Sequence, residues 1–175
     1  GAVAGGDAEK VVRFDGFGKE VWSNQLVWQP MNWDYWTRYN VHVLSLTAGD
    51  VNGDGKQEIL AGCADRHIYV FDGAGEMLWR SACQWGPPTC LELARLQEGP
   101  ELQILAGMAD PCIHGCVRVY DAKGECVHTL SRPDIMSWSI PSWSKCLRVA
   151  DLDGDGWPEA ISGVDTNHRQ LIVYR

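Results

Sequence analysis

The run Gly49-Asp50-Val51-Asn52-Gly53-Asp54-Gly55-Lys56-Gln57-Glu58 returns, almost letter for letter, as Ala150-Asp151-Leu152-Asp153-Gly154-Asp155-Gly156-Trp157-Pro158-Glu159. Each copy lies between short apolar stretches, followed by Ile59-Leu60-Ala61-Gly62 and by Ala160-Ile161-Ser162-Gly163. An acidic loop repeated between apolar runs constrains the chain in three ways. It is built from repeats, the repeats are β units, and two of them carry a loop suited to a hard cation.

Oxygen ligands at alternate positions of a tight turn converge on one cavity. Asp50, Asn52 and Asp54 offer side-chain oxygens, the Lys56 carbonyl a fourth ligand, and Glu58 closes the shell. The second copy offers Asp151, Asp153, Asp155, the Trp157 carbonyl and Glu159. Calcium takes about 6–8 oxygens in irregular geometry, whereas magnesium prefers a strict octahedron, so two Ca2+ sites are expected. An EF-hand is excluded, because its closing glutamate falls at loop position 12 between helices, and here the acid falls earlier, between strands. The alternative is an Asp/Gly turn that binds nothing, in which the crowded carboxylates repel one another without a counter-ion.

Four segments align on a glycine and a later aspartate or its counterpart. They are Gly5 with Phe14-Asp15, Gly62 with Phe71-Asp72, Gly107 with Tyr120-Asp121, and Gly163 with Tyr174-Arg175. The Asp–x–x–Gly turns that follow are hairpin chemistry. Repeats of roughly 40–50 residues with four short strands each mark the blades of a β-propeller. The expected fold is therefore all-β: a β-propeller of four-stranded antiparallel blades, about four in this chain, near residues 1–28, 42–84, 89–131 and 145–175. In blade two the strands are expected at 43–48, 58–63, 67–71 and 77–82. Blade one lacks its first strand and blade four its last, so fourteen strands are expected, in a fragment of a larger propeller or an arc completed by a second copy or a missing segment. In blade three the ligand positions hold Arg95, Gln97, Gly99 and Gln103, so that loop is expected to keep its shape without metal.

Composition narrows the partners. The net charge is −8, with 45% hydrophobic residues. No basic stripe suits nucleic acid, and no apolar stretch of about 18 residues suits a membrane-spanning helix. Calcium of this kind argues for an extracellular, periplasmic or cell-surface protein. Cys63, Cys83, Cys90, Cys112, Cys116, Cys126 and Cys146 form no zinc pattern. Cys112 and Cys116 are spaced to close a small disulfide, while Cys90 and Cys146 share an inner-strand position with Ser45 and read as core packing. Trp22 and Trp79 share an outer-strand position and also read as packing residues.

The links between blades are long and aromatic. Trp33, Trp36 and Arg38 lie in the first, Trp138 and Trp143 in the third. Flat rings beside polar groups suit a glycan or a protein ligand; the alternative is that they cap the blades. His42, His67, His114, His128 and His168 are scattered, without an evident nucleophile, so no catalytic residue is assigned.

The motif D-x-[DN]-G-D-G-x-x-E between strands, at blade spacing, resembles the FG-GAP/VCBS repeats of integrin-alpha-like propellers. The resemblance implies calcium-binding loops at 50–58 and 151–159. Phe71-Asp72-x-x-Gly75-x-x-x-Trp79 is similar to the docking motif of quinoprotein-like propellers, whose adjacent cysteine pair is absent here. Calcium propellers of this kind also occur in rhamnogalacturonan lyases and as accessory domains of secreted carbohydrate enzymes. By that likeness the chain is either a calcium-stabilised binding or scaffold module, or part of a polysaccharide-degrading enzyme.

Overall fold

A computed structural model describes residues 1–6, 9–27, 41–82, 86–110, 116–130, 142–165 and 170–174. Among them the regular structure is fourteen strands and no helix. Blade one holds β1 (Ala2–Gly5), β2 (Lys10–Phe14) and β3 (Glu20–Gln25). Blade two holds β4 (Val43–Gly49), β5 (Glu58–Cys63), β6 (Ile68–Phe71) and β7 (Met77–Arg80). Blade three holds β8 (Pro88–Ala94), β9 (Gln103–Asp110), β10 (Val117–Tyr120) and β11 (Cys126–Leu130). Blade four holds β12 (Ser142–Ala150), β13 (Glu159–Asp165) and β14 (Gln170–Tyr174). Consecutive strands within a blade pair antiparallel. The expected three-strand first and last blades are present. In blade two the third strand starts one residue later than expected, at Ile68, and the fourth stops at Arg80.

Strands β5 and β6 are buried along their whole length, because the sheet of blade two is covered on both faces, by blade one and by blade three. Side chains alternate across a strand, so one set faces each neighbour. Ile59, Ala61, Tyr69 and Phe71 join Val11 and Leu26 in a core between blades one and two. Leu60, Ile68 and Val70 join Leu91, Ile104 and Tyr120 between blades two and three. Leu105, Val117 and Val119 meet Leu147 and Ala160 between blades three and four.

The aligned glycines mark the inner contacts of this stack. A Cβ on Gly107 would lie 2.4 Å from Ser144 Oγ and 2.9 Å from Ser144 Cβ, with Cys90 Sγ at 3.1 Å. Only hydrogen leaves room for the inner strands of two blades at once. Each inner strand also skips one residue in its register, after Val43, Pro88 and Ser144. Such bulges bend a strand and strengthen its twist. Core packing was expected for both inner-strand cysteines and holds only in part. Cys90 is half-buried, with Sγ 3.3 Å from Ser144 O of the neighbouring blade, whereas Cys146 is exposed. The Cys112–Cys116 pairing falls outside the described residues, since Cys112 is among those not described.

The outer hairpins repeat a single local design. Asp72 Oδ1 accepts the N–H groups of Ala74 and Glu76 at 2.9 and 2.8 Å. Asp121 does the same for Lys123 and Glu125, and Asp15 for Phe17 and Lys19. The side chain thus replaces a backbone acceptor in the turn. The preceding blade then seats a tryptophan on the hairpin. Trp22 Nε1 donates to Gly73 O at 3.1 Å, and Trp79 Nε1 donates to Ala122 O at 3.0 Å. Trp22 and Trp79 are packing residues, and what they pack is the joint between blades.

Candidate metal centre

Antiparallel order puts the acidic loops (β4–β5 and β12–β13) and the outer hairpins at one end of the sheets. The β5–β6 turn lies at the other end. Within the 50–58 loop, Asp50 Oδ1 accepts the N–H groups of Gly53 and Asp54 at 2.8 and 3.0 Å, and Oδ2 accepts Gly55 N–H at 2.9 Å. Asn52 Oδ1 accepts from Asp54 N and Asp54 Oδ1 from Lys56 N. The 151–159 loop repeats this pattern, with Asp151 accepting from Gly154 and Gly156 and Asp155 from Trp157. Backbone donors therefore fix each carboxylate on one side and leave its remaining lone pairs for a cation.

The ninth position has a role that spacing alone does not reveal. Glu58 Oε2 accepts Val51 N–H at 2.9 Å, and Glu159 Oε2 accepts Leu152 N–H at 2.8 Å. In blade three Gln103 Oε1 accepts Leu96 N–H at 2.7 Å. All three side chains are at most 5% exposed. The amide and the carboxylate make the same clamp, but the rest of the third loop turns differently: positive φ stands at Gly53 and Gly55 and at Gly154 and Gly156, whereas in blade three it stands at Gly99, with Pro100 at the position of Gly55. The clamp uses one oxygen; a glutamate has a second, charged one to offer an ion.

The two loops differ in how their acids converge. The carboxylates of Asp151, Asp153 and Glu159 lie within 4.8 Å of one another, close enough for one ion to bridge them. Asp155 is outside that group. The 50–58 loop, with Asn52 at its third position, forms no such three-acid group among the described residues. The main chains of Lys56 and Trp157 follow the same turn in both loops. A cleft of about 760 Å³ between blades one and two is lined by Asn52, Asp54 and the buried Glu58, with Arg13 and Asp72 on its walls.

The expected ligand-binding aromatics are only partly placed. Trp33, Trp36, Arg38 and Trp138 lie outside the described residues. Trp143 lies within β12 rather than in the link, its backbone opposite Ala109 and Asp165.

A buried polar cluster at the β5–β6 turn is absent from the sequence reading, which left His67 without a partner. His67 Nδ1–H donates to Ser81 O at 2.8 Å, and Tyr69 donates its hydroxyl to Asp65 Oδ2. Arg80 lies 5.9 Å over the Tyr69 ring. Asp65 is 6% exposed, and its Oδ1 has no hydrogen-bond partner. The i, i+2 spacing Asp65-His67-Tyr69 is the sequence signal for the cluster. Burial, then the bond to Asp65, pushes the Tyr69 phenol up, so it stays a donor and clamps the turn. Burial lowers the His67 pKa below its ordinary 6.5, against the raising effects of Ser81 and Asp65. The unfolded chain therefore takes the proton more readily. The contribution is present above pH 6.5 and is lost as pH falls from there through the folded value. Urea midpoints of wild type should fall with pH across that range more steeply than those of His67→Gln; parallel curves would remove the role of His67.

The sequence profile of one family, described as the lambda-carrageenase beta-propeller domain, matches residues 9–140. No curated protein matches the chain in sequence. Among solved structures, BBS1N in complex with ARL6DN (mercury soak) superposes with a TM-score of 0.59 at 14% identity, over 98% of this chain and 49% of that one. The V. cholerae biofilm matrix protein Bap1 superposes at 0.58 and 18% identity, over 99% and 26%. The Pseudomonas aeruginosa PilY1 C-terminal domain superposes at 0.59 and 16% identity, over 93% and 36%. At these identities the likeness concerns the fold. The chain spans half or less of the length of each.

Proposed function

Because the chain belongs to the lambda-carrageenase β-propeller domain family, we propose that it serves as a calcium-stabilised propeller module that binds a glycan for an extracellular, periplasmic or cell-surface protein. The observation that carries the reading is the convergence of Asp151, Asp153 and Glu159 within 4.8 Å, on a loop whose backbone already holds each acid in place. This donor set is all oxygen and suits Ca2+. In the 50–58 loop Asp50, Asn52, Asp54 and Glu58 would supply the side-chain donors, with the Lys56 carbonyl; in the other, Asp155 and the Trp157 carbonyl would complete the shell, as in FG-GAP/VCBS repeats. Bound there, the ion neutralises the carboxylates and pins the inner strand of a blade to the next strand. Working outside the cytoplasm, such a loop would bind calcium at about 10⁻⁴–10⁻³ M, as extracellular modules do.

The opposite end of the sheets would carry the ligand. In sequence Trp33, Trp36 and Arg38 fall between β3 and β4 and Trp138 between β11 and β12, and Trp143 is the second residue of β12. Indole faces stack on the C–H face of a sugar ring while its hydroxyls find polar partners. Two bound ions would cut the net charge from −8 to about −4, easing the approach of an anionic polymer. The family is named for an enzyme, and this favours one second reading: a module within a polysaccharide-cleaving enzyme whose reacting groups lie partly outside this chain.

Affinity electrophoresis in gels containing carrageenan, agarose or pectin tests the reading, with reducing-end and ultraviolet assays run in parallel. Retardation in calcium that is lost on Trp33→Ala or Trp138→Ala, without product, is the expected result. Product formation would favour the second reading, and unretarded migration in every gel would overturn glycan binding.

A further inference from the structure

We infer, on the premise that calcium binds the 50–58 loop, that the 95–103 loop of blade three braces it. Leu102 is the positioning residue, through which the ion tightens the joint between blades two and three. Alternate residues of the ion loop face opposite ways. Gly49, Val51 and Gly53 meet blade three. A Cβ on Gly49 would lie 2.6 Å from Leu93 Cδ1, with Leu102 Cδ1 at 3.6 Å, and one on Gly53 would lie 2.8 Å from Pro100 Cβ. Between them the Val51 side chain, 2% exposed, sits in the core with Leu91 and Ile104, and Val51 O accepts Leu102 N–H at 3.1 Å. The donors Asn52 and Asp54 instead line the cleft between blades one and two.

Val51 is therefore held on both sides of its Cα. Its N–H donates to Glu58 Oε2, whose partner oxygen is offered to the ion, and its C=O is bonded to Leu102 of the next blade. Two hydrogen bonds thus connect the ion's shell to blade three. An ion that fixes Glu58 fixes Val51, and a fixed Val51 carbonyl keeps its bond to Leu102. Conversely, a loop already held at three points loses less freedom when it closes on an ion, and so binds it more tightly. The 95–103 loop suits a brace because its own clamp, Gln103 Oε1 on Leu96 N–H, needs no ion. The brace also falls only where it has an ion loop to hold. Leu102 stands five residues before Gly107, and the residue aligned with it before Gly163 is Pro158. Proline has no N–H to donate, so blade four cannot return the same bond to the 95–103 loop, whose ligand positions hold Arg95 and Gln97.

The test titrates the full chain with calcium and reads the loops separately, through the amide shifts of Gly53 and Gly55 and those of Gly154 and Gly156. Leu102→Pro copies the residue of blade four and removes the N–H. It should weaken calcium binding at 50–58 about three- to tenfold, the scale of one hydrogen bond, and leave the 151–159 loop within about twofold. Leu102→Ala keeps the N–H and should bind calcium as the wild type does. Coupling is reciprocal, so the wild type supplies a second measurement that needs no variant: calcium should slow hydrogen exchange at Leu102 about three- to tenfold, and more than at Leu96, whose bond lies within its own loop. Unchanged affinity at 50–58 in Leu102→Pro, an equal loss in Leu102→Ala, or equal slowing at Leu102 and Leu96 would overturn the brace and leave calcium binding standing. No shift of Gly53 and Gly55 at about 10 mM calcium, well above an extracellular Kd, would overturn both.

Discussion

Replacing Gly124 with alanine is expected to destabilise the chain by about 3 kcal/mol. Two costs coincide at this residue. Its φ is +86°, and a side chain in the left-handed region costs about 1–2 kcal/mol. A Cβ there would also stand 2.6 Å from Trp79 Cε3 and 2.7 Å from Cζ3. The indole cannot retreat without giving up its bond to Ala122 O, and overpacking of this kind typically costs about 1–3 kcal/mol. Gly18 separates the two contributions. It occupies the equivalent turn of blade one at φ +82°, with nothing within 4 Å of its would-be Cβ. Gly18→Ala should therefore lose only the backbone part, about 1–2 kcal/mol. Urea denaturation of both variants measures the difference. Combining Gly124→Ala with Trp79→Leu should recover the packing part, since residues in contact are not additive. Equal losses at Gly18 and Gly124 would show that the tryptophan seat does not hold the blades together.

Calcium should raise the stability of the wild type by about 2.7 kcal/mol per site when the ion is at about a hundredfold its Kd, roughly 10 mM for a Kd of about 10⁻⁴ M. Two variants of one residue resolve how. Glu159→Gln keeps the clamp on Leu152 N–H, as Gln103 does for Leu96, but removes the charge. It should match or exceed the wild type in chelator, where the acids repel one another, and should lose the gain at that site in calcium. Glu159→Ala removes clamp and charge together. It should lose a further 0.5–1.5 kcal/mol, roughly, in both conditions, because the bond to Leu152 N–H is lost and water replaces it at this exposed residue. Differential scanning calorimetry in calcium and in chelator reads both effects. A wild type that melts at one temperature in either condition would remove the metal from the account, while leaving the clamp intact.

What the chain wrote locally could be read locally. The acidic loops and the Asp–x–x–Gly hairpins depend on groups a few residues apart and stand where spacing placed them, and the strands of blade two lie within two residues of their expected bounds. Asp50 accepts from Gly53, Asp54 and Gly55, and Asp72 from Ala74 and Glu76. The period of the repeats revealed the blades, including a third loop whose aligned ligand positions hold Arg95, Gln97, Gly99 and Gln103. Other features depend on residues one blade away. Trp22 meets Gly73 and Trp79 meets Ala122 across gaps of 51 and 43 residues. Gly107 is squeezed by Ser144, Cys146 is left bare where Cys90 is partly covered, and His67 finds Ser81 across a strand pair. None of these partners can be ranked from one sequence, because many residues share the same composition and repeat position, and only the stacking of one sheet on the next selects among them. Sequence by itself determined the strands, the turns and the donor set of the acidic loops, since covalent spacing and backbone hydrogen bonds suffice for those. Tertiary structure alone decided which indole seats on which hairpin and which acids converge, since these are set by distances through space between blades.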